Sequence, residues 1–304
     1  MRIVVTGIRG QIAASLRERG SIAGHDVIAL GRPTLDLSDP VAAIPVILDA
    51  APDAIVSAAA YTSVDRAESQ PDLAMAINGT AAGKLAEAAA QARVPLVHIS
   101  TDYVFDGMKP TPYLEDDLPA PLSVYGVSKL AGERAVTAAS DDYAILRVGW
   151  VYSPFGSNFV KTMLKLAETQ DSIRVVADQR GGPTSALDVA DAILQIAARL
   201  RADKRRDLRG TFHMPPSGEA SWADLAEAVF RNAAEHGLPS SRVERIAATD
   251  YATAARRPVN ARLDGAKLQR VYGIALPHWT ESLSDCIGRL AARAATDRKF
   301  EPQR

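Results

Sequence analysis

The sequence has one cysteine, no long apolar run and no excess of charge of either sign. A single thiol, Cys286, cannot form an internal disulfide, which excludes a disulfide-stabilised scaffold. The 35 basic and 36 acidic side chains leave a formal charge of -1, so no global field attracts nucleic acid or an anionic membrane. No stretch approaches the roughly 20 apolar residues of a membrane span, and the first apolar run is too short for a signal peptide. We therefore expect a cytoplasmic protein without nucleic-acid or membrane partners.

The composition is that of a globular protein, with 47% hydrophobic and 23% charged residues in a chain of 304. From residue 1 to about 150, short β-rich runs alternate with Ala-rich helical stretches, which indicates βαβ units. Beyond Gly149 this alternation becomes irregular. The pattern predicts an α/β fold, a Rossmann-like doubly wound parallel sheet with a smaller mixed α/β substrate-binding region.

A glycine-rich turn follows the first predicted strand. Gly7 and Gly10 precede the predicted helix, and the small Ala13 allows helix and strand to pack closely. The helix N-terminus, with Gln11 and Ile12 in its first turn, would attract a diphosphate through its N–H groups and its dipole. An ordinary strand-to-helix turn has the same pattern, but the position in a βαβ array favours a dinucleotide site. We therefore expect residues 1–150 with about 186–213 to form an NAD(P)-binding domain, and about 151–185 with 214–304 to form the substrate-binding region.

A second set of residues combines a phenol, an ammonium and a hydroxyl. Tyr125 and Lys129 are four residues apart, so they lie on one face of a predicted helix. A nearby cation favours phenolate, so we expect Lys129 to lower the pKa of Tyr125 and make it a better proton donor. Thr101 ends the fourth predicted strand, where open α/β sheets bind ligands, and its hydroxyl can donate to a carbonyl oxygen. A solvated Tyr–Lys pair and a plain strand end are the alternative interpretations.

Together with longer motifs, these residues make the chain resemble the dTDP-4-dehydrorhamnose reductase family of extended short-chain dehydrogenase/reductases. Two positions depart from the family pattern: Ala13 stands where glycine is common, and Val148-Gly149 follow Arg147 where threonine or serine is frequent. The matching segments span nearly the whole chain and are TGIRGQIA, AAAYTSVDRAE at 58–68, AINGTAAGKLAEAA at 76–89, STDYVFDG at 100–107, YGVSKLAGE at 125–133, RVGWVYSPFGSNFVKTML at 147–164, DQRGGPTSALDVA at 178–190 and RRPVNARLD at 256–264.

The resemblance implies that Thr101, Tyr125 and Lys129 are catalytic. Combined with side-chain chemistry, it implies cofactor contacts at Gly7, Gly10, Gln11, Ile12, Arg32, Asp36, Leu37, Ala58, Ala60, Tyr61, Asn78, Tyr125 and Lys129. The implied substrate contacts are Thr101, Asp102, Tyr103, Trp150, Asn158, Lys161, Gln179 and Arg257. Trp150 would stack on a deoxysugar or pack in the core, and Arg257 would bind a diphosphate bidentately. No metal is expected, because the five histidines are scattered along the chain.

The leading functional hypothesis is reduction of the C4 ketone of dTDP-4-dehydro-L-rhamnose, giving dTDP-L-rhamnose. Arg32 follows the second predicted strand, where an acid often binds the ribose 2'-hydroxyl, and so favours NADPH, with NADH also accepted. A dehydratase is disfavoured because Tyr103, and not a glutamate, follows Asp102. Another nucleotide-sugar ketoreductase, an epimerase and a noncatalytic NADP-binding regulatory subunit are the alternatives. The expected partner is a dTDP-linked deoxy-ketosugar, and a homodimer is left open.

Overall fold

A parallel sheet of six strands lies at the centre of the computed structural model, which describes residues 1–300, with side chains to residue 296. The strands are β1 (Arg2–Thr6), β2 (Asp26–Leu30), β3 (Ala54–Ser57), β4 (Leu96–Thr101), β5 (Tyr143–Val148), β6 (Val151–Tyr152), β7 (Ser172–Val176), β8 (Arg180–Gly181), β9 (Thr184–Ser185), β10 (Gly210–His213), β11 (Ala220–Ser221) and β12 (Arg242–Ile246). The order across the central sheet is β10-β5-β4-β3-β1-β2. The predicted Rossmann-like α/β fold is confirmed.

The chain winds in two directions from the middle of this sheet. β1 pairs with β2 on one side and with β3 on the other, and β4, β5 and β10 continue beyond β3. In open α/β sheets, ligands bind at the point where the strand order reverses, beyond the carboxyl ends of the strands. Here that point lies at the ends of β1 and β3.

Helices cover both faces of the sheet. Within residues 1–300, no helix combines the length and the apolar content needed to cross a bilayer. The helices are α1 (Gln11–Ile22), α2 (Ala43–Asp49), α3 (Val64–Ala67), α4 (Pro71–Ala74), α5 (Ala81–Ala92), α6 (Val124–Ala139), α7 (Phe159–Leu166), α8 (Ala186–Ala202), α9 (Trp222–Glu235), α10 (Ala266–Tyr272) and α11 (Trp279–Phe300), with a π-helix at Met75–Thr80 between α4 and α5.

Alternation along the strands divides the apolar core between these two helical layers. Ile3 and Val5 are buried with residues of α1 and α8, whereas Val4 between them is buried with residues of α2 and α5. Successive side chains of a strand point to opposite faces, so a run of apolar residues is required wherever both faces are covered. Neither face of β1 is left to solvent.

A third apolar cluster lies outside the sheet. It is built from residues of α7, β7, α9 and α11, and it contains the buried thiol of Cys286. α10 does not join it: Leu268 and Tyr272 are buried with the sheet, although they lie in the range expected to form the substrate-binding region. They belong to the same apolar cluster as residues of α8 and β10, on one face of the sheet. Residues 301–304 of that expected range lie outside the described residues.

Small residues bring α6 close to the π-helix. A Cβ on Gly132 of α6 would lie 2.1 Å from the carbonyl oxygen of Asn78 in the π-helix, and one on Gly83 of α5 would lie 2.9 Å from the Cβ of Ala135. Real Cβ atoms do not approach backbone oxygen this closely, so the present spacing of the two elements requires glycine at position 132. This contact sets the depth at which α6 packs.

We therefore expect Gly132→Ala to lower the free energy of unfolding by about 1–3 kcal/mol, because the added methyl forces the helices apart. Gly288→Ala in α11 is a matched control. Its Cβ would meet its nearest neighbour, the Nε2 atom of His236, at an ordinary 3.6 Å, so it should stabilise the protein by about 0.4–1 kcal/mol. Denaturant unfolding measures both values. Equal effects of the two substitutions would contradict the steric argument.

Candidate active site

The glycine turn forms the first wall of the crevice. Gly7 adopts a φ of +99°, a conformation that L side chains rarely adopt, and its N–H donates to the carbonyl of Leu30 at 2.6 Å. Gly10 is the N-cap residue of α1, and a Cβ there would meet no atom within 4 Å. Ile12 lies half-buried against the sheet core. The turn thus offers open space in front of a helix N-terminus, which suits a diphosphate.

Gln11 joins this turn to the loop that follows β6. Its Nε2 donates to the carbonyl of Val151 at 3.0 Å, and its Oε1 accepts from Ser153 Oγ and Asn158 Nδ2, both at 2.9 Å. Asn158 also caps α7, because its Oδ1 accepts from the N–H of Lys161 at 3.1 Å. Both ends of the Asn158 amide are thus engaged within the protein, and its contact with substrate stays a prediction. Lys161 Nζ bonds the carbonyl of Gly156 at 2.7 Å.

The residues predicted to lie near the adenosine follow β2. Arg32 is exposed directly after the strand, and Leu37 is buried in the core. The Asp36 carboxylate accepts from the N–H and the hydroxyl of Ser38 at 3.0 and 2.8 Å. These hydrogen bonds, with the charge of Arg32, lower the pKa of Asp36. The exposed guanidinium is therefore the more available group for a ligand at this edge.

The loop after β3 lies across the crevice from the glycine turn. Ala58, Ala60 and Tyr61 are half-buried there, and the N–H of Ala58 donates to Thr6 Oγ1 at the end of β1 at 3.0 Å. Asn78 fixes the far end of the loop, because its Oδ1 accepts from the N–H of Tyr61 at 2.7 Å. Two neighbouring strand ends are thus tied together by side chains.

Asn78 also connects this loop to α6. Its Nδ2 donates to the carbonyl of Tyr61 at 3.1 Å and to Ser128 Oγ at 3.0 Å, and the residue is 1% exposed. Ser128 immediately precedes Lys129. The direct role of Asn78 in the structure is therefore to hold the loop and the helix in register.

The predicted catalytic hydroxyls meet at the carboxyl end of β4. Tyr125 lies in the first turn of α6, which Ser123 caps because its side chain accepts from the N–H of Gly126 at 3.2 Å. Burial raises the pKa of Tyr125 to about 12, against the opposing effect of the neighbouring Thr101 side chain. The ring of Tyr103 packs edge-on against that of Tyr125, with centroids 5.6 Å apart.

Lys129 lies one turn further along α6 and is 3% exposed. Its Nζ donates to the carbonyl of Ile99 at 2.6 Å and lies 3.5 Å from Nε2 of His98. Burial lowers the pKa of Lys129 to about 8, against the opposing effect of Glu133. The prediction that Lys129 lowers the pKa of Tyr125 is wrong for this structure, because the ammonium faces β4 and burial of the phenol dominates.

Asp102 places a buried carboxyl beside Thr101. Its Oδ1 accepts from Thr101 Oγ1 at 2.9 Å, and its Oδ2 has no hydrogen-bond partner among the described residues. Burial raises the pKa of Asp102 to about 7. A Cβ on Gly149 would lie 2.3 Å from Oδ2, so the departure from the family pattern at Val148-Gly149 makes room for this carboxyl.

Trp150 follows Gly149 with a φ of +49°, which is unusual for a bulky residue. Its ring stacks on that of Trp222 with centroids 3.6 Å apart, and a Cβ on Gly181 would lie 2.6 Å from its Cε2 atom. The face predicted to stack on a deoxysugar is therefore occupied by another indole. The sequence left open whether Trp150 stacks on a deoxysugar or packs in the core, and this contact favours packing.

Arg257 forms the outer wall of the crevice. It donates to Asp65 from Nη2 at 2.6 Å and from Nη1 at 3.2 Å, and it also interacts with the Tyr103 side chain. Burial raises the pKa of Tyr103, while Arg257 opposes that effect. The bidentate pairing predicted for Arg257 is present, but its partner is a carboxylate of this chain. Gln179 is buried in the loop that precedes β8.

Sequence reasoning missed two sets of residues around this crevice. Asp65, in the segment AAAYTSVDRAE, anchors Arg257. Glu133 and Arg147 form a buried ion pair below Lys129, with Nη2 to Oε2 at 2.7 Å and side chains 5–6% exposed. The spacing of Lys129 and Glu133, four residues apart on one helix, was the available signal. Among the described residues, no group of three or more His, Cys, Asp and Glu side chains is placed to hold a metal ion.

Comparison with known proteins gives consistent matches over nearly the full length. A family model described as RmlD substrate binding domain matches residues 1–292. A dTDP-4-dehydrorhamnose reductase from Sinorhizobium fredii is 52% identical over 282 residues, which are 93% of this chain and 95% of the relative. The crystal structure of a dTDP-4-dehydrorhamnose reductase from Clostridium acetobutylicum is similar with a TM-score of 0.88 and 35% identity, covering 95% of this chain and 99% of that one. A Bacillus anthracis dTDP-4-dehydrorhamnose reductase in complex with NADP gives 0.87 and 34%, with the same coverage.

The raised pKa of Asp102 predicts a pH dependence of stability. The unfolded chain releases this proton near the ordinary value of 3.8, whereas the folded protein holds it to about 7. The stabilisation of the folded protein by this proton is complete below the unfolded pKa and is lost as the pH rises through the folded pKa. Asp102→Asn removes this loss, so the Tm of the variant relative to wild type should rise between about pH 4 and about pH 7.

Asp106→Asn is the control for this titration. Hydrogen bonds from the Met108 N–H and from Tyr113 lower the pKa of Asp106, so the stabilising charged form is lost as the pH falls. The relative Tm of Asp106→Asn should therefore fall as the pH rises through the acidic range. A relative Tm of Asp102→Asn that is constant from acid to neutral pH would show that Asp102 ionises normally.

Proposed function

Because this chain belongs to the dTDP-4-dehydrorhamnose reductase family, we propose that it reduces the C4 ketone of dTDP-4-dehydro-L-rhamnose to give dTDP-L-rhamnose. The observation that carries the proposal is that the side chains of Thr101 and Tyr125 lie together at the carboxyl end of β4. Lys129 lies one turn beyond on the same helix, and the glycine turn lies at the same edge of the sheet. Hydroxyl donors for a carbonyl and a diphosphate cradle therefore share one crevice.

The residues present fit a reduced nicotinamide dinucleotide. Gly10 leaves open space before α1, and Gly7 has the positive φ that a tight turn requires. NADPH, when bound, supplies the hydride. The Gly7–Gly10 turn and the first N–H groups of α1 would hold its diphosphate, Ala58, Ala60 and Tyr61 would line its adenosine-to-nicotinamide path, and Lys129 would hold a ribose.

The proton is supplied by Tyr125. Its pKa of about 12 keeps the phenol protonated at neutral pH, so the hydroxyl is ready to donate to the developing alkoxide. In this proposal the Thr101 hydroxyl turns its one proton from Asp102 Oδ1 to the same oxygen and orients the ketone. The phenolate left behind is a buried anion, so burial opposes its formation. Before the proton moves, the pKa of Tyr125 is set by burial and not by a neighbouring cation.

We assign the substrate to the side of the crevice formed by residues of about 151–185 and 214–300 apart from α10, together with Thr101, Asp102 and Tyr103. Lys161 and Arg257 would contact the dTDP diphosphate, and Gln179 lies in the loop that precedes β8. Residues 1–150, 186–213 and α10 form the cofactor side in this assignment. Asp65 holds Arg257 in place through two hydrogen bonds, so the guanidinium is preorganised.

Two other activities remain as alternatives to be separated by experiment. An epimerase returns its cofactor unchanged, whereas the proposed reduction consumes one reduced cofactor for each ketosugar. A noncatalytic regulatory subunit binds the cofactor without turnover, and the complete set of Thr101, Tyr125 and Lys129 argues against it. Loss of reduced-nicotinamide absorbance with the dTDP-ketosugar, together with identification of the alcohol, tests all three. The same assay with another nucleotide ketosugar in place of the dTDP-ketosugar shows which class of substrate the protein reduces.

We also propose that the protein is cytoplasmic and has no nucleic-acid partner, in accord with its formal charge of -1. A homodimer is a further proposal, and sedimentation of the purified protein measures it directly.

Tyr125→Phe removes the hydroxyl that donates the proton and keeps the packing of the ring against Tyr103. Turnover should fall by about 10²- to 10⁴-fold, while NADPH affinity changes little. Tyr143→Phe, on β5 and outside the crevice, is the control and should keep the wild-type rate. Steady-state kinetics and fluorescence titration with NADPH give the two values. Turnover of Tyr125→Phe within a few-fold of wild type would remove this residue from the mechanism.

Arg32→Ala tests the cofactor preference. The exposed guanidinium after β2 can pair with a 2'-phosphate, so we expect NADPH to be favoured modestly over NADH in the wild type. The substitution should raise the KM for NADPH and leave the KM for NADH unchanged, which narrows the preference. Arg2→Ala is the matched control, because Arg2 lies at the amino end of β1 and Arg32 follows the carboxyl end of β2. Equal losses with both cofactors would show that Arg32 does not contact the 2'-position.

A further inference from the structure

Polar side chains line the face of the sheet that packs against α6. Ser57 ends β3, His98 and Ser100 lie on β4, and Arg147 lies on β5, each no more than 4% exposed. His98 pairs in register with Ser57, and Ser100 pairs with Arg147. A sheet face covered by a helix is ordinarily apolar, as it is at Leu96 and Ile145 nearby. This polar row lies directly beneath Lys129.

Arg147 is the charged residue of this row, and Glu133 of α6 neutralises its charge. Arg147 donates to both carboxylate oxygens of Glu133, at 2.9 Å from Nε and 2.7 Å from Nη2, and Ser100 Oγ donates to the same carboxylate. Glu133 raises the pKa of Lys129, yet burial outweighs it and the pKa of Lys129 is still about 8. Around Lys129, the other titratable groups are His98 on β4, Asp102 after it and Tyr125 on α6. The ammonium therefore depends on neutral hydrogen-bond acceptors.

His98 provides one of these acceptors. Its Nδ1 lies 3.0 Å from Ser57 Oγ, and its Nε2 lies 3.5 Å from Lys129 Nζ. Burial and the charge of Lys129 hold the pKa of His98 well below 6.5, so the ring is neutral. An ammonium has no lone pair and can only donate, so Nε2 has to accept and the ring proton has to be on Nδ1. That proton then points to Ser57 Oγ, which accepts it and stabilises this tautomer.

We propose that His98, held in its Nδ1-protonated form by Ser57, is a positioning residue that keeps Lys129 charged and directed along β4. The proposal rests on the proposed function only in assigning Lys129 to the reaction. The His98 ring and the carbonyl of Ile99 bind the ammonium from the strand below, so they restrict where Nζ lies. A buried lysine without them would lose the stabilisation of its charged form and release its proton at lower pH.

The first measurement uses the full-length protein without nucleotide. NMR titration of lysine labelled with ¹³C at Cε, with Lys129 identified by its absence in Lys129→Met, gives the pKa of this group directly. Wild type should titrate near 8. His98→Leu should titrate lower, because the acceptor is gone. His98→Gln should restore the wild-type value, since its amide oxygen can occupy the place of Nε2, whereas His98→Asn reaches only toward Ser57 and should behave as His98→Leu.

The second measurement is the pH dependence of kcat/KM with NADPH and the dTDP-ketosugar. At about pH 6 Lys129 is charged in every variant, so His98→Leu and wild type should agree within about twofold. At about pH 8 the variant should be about fivefold slower, which corresponds to a pKa lower by about one. Ser57→Ala should give a smaller shift in the same direction, because it releases the tautomer without removing the ring.

His213→Gln is the matched control for loss of a buried histidine. His213 lies on β10, where its Nδ1 contacts the carbonyl of Tyr113 at 3.0 Å, and it does not contact Lys129 in the structure. Its Nε2 lies 3.3 Å from Arg147 Nη1, and the amide oxygen of glutamine can take the place of this acceptor. The substitution should lower the Tm without changing the pH profile. An unchanged Lys129 pKa in both His98→Leu and His98→Asn, or an equal loss of rate at every pH, overturns the proposal. Full turnover by Lys129→Met would instead overturn the catalytic assignment and leave the NMR result standing.

Discussion

The close approach of α6 to β4 buries a lysine and an ion pair beneath the edge of the sheet where the ligands are proposed to bind. Glycines allow α6 to pack closely on the neighbouring segments: a Cβ on Gly126 would lie 2.2 Å from the carbonyl oxygen of Tyr103, which follows β4, and one on Gly132 would lie 2.1 Å from that of Asn78 in the π-helix. The same burial lowers the pKa of Lys129 to about 8 and raises that of Tyr125 to about 12. The packing of α6 therefore sets both the burial of these side chains and their pKa values.

Burial affects the charged groups of this surface in different ways. The charges of Glu133 and Arg147 are retained because each has a partner at hydrogen-bond distance. Asp102 has no such partner at Oδ2, so desolvation raises its pKa to about 7 and favours the neutral acid. A protonated Asp102 can donate to a substrate oxygen, whereas the ionised form can only accept. The protonation of one carboxyl therefore bears on how the sugar would be held.

Two polar contacts connect the sheet to the region assigned to substrate. Gln11 binds Ser153 and Asn158 at the start of α1, and Asp65 binds Arg257 after β3. Both contacts begin at carboxyl ends of strands that border the crevice. Side chains chosen from the sequence as ligand contacts serve here to join the walls of the site. The position of one wall relative to the other consequently depends on the same residues that face the ligands.

The sequence by itself determined the features that depend on neighbours in the chain. Short β-rich runs that alternate with helical stretches indicated the parallel sheet. The glycine spacing indicated the turn before α1, and the four-residue spacing placed Tyr125 and Lys129 on one helical face. The family resemblance extended these motifs to the reaction. Each of these inferences rests on local periodicity or on motif spacing, which the order of residues contains.

Tertiary structure alone decided what each of these side chains contacts. Gln11 and Asn158 are 147 residues apart, and Asp65 and Arg257 are 192 apart, so no local pattern indicates either pair. The direction of Lys129 toward His98, the raised pKa of Tyr125 and the stacking of Trp150 on Trp222 depend equally on packing. A pKa responds to burial and to charges within a few ångströms, and both are set by the folded chain.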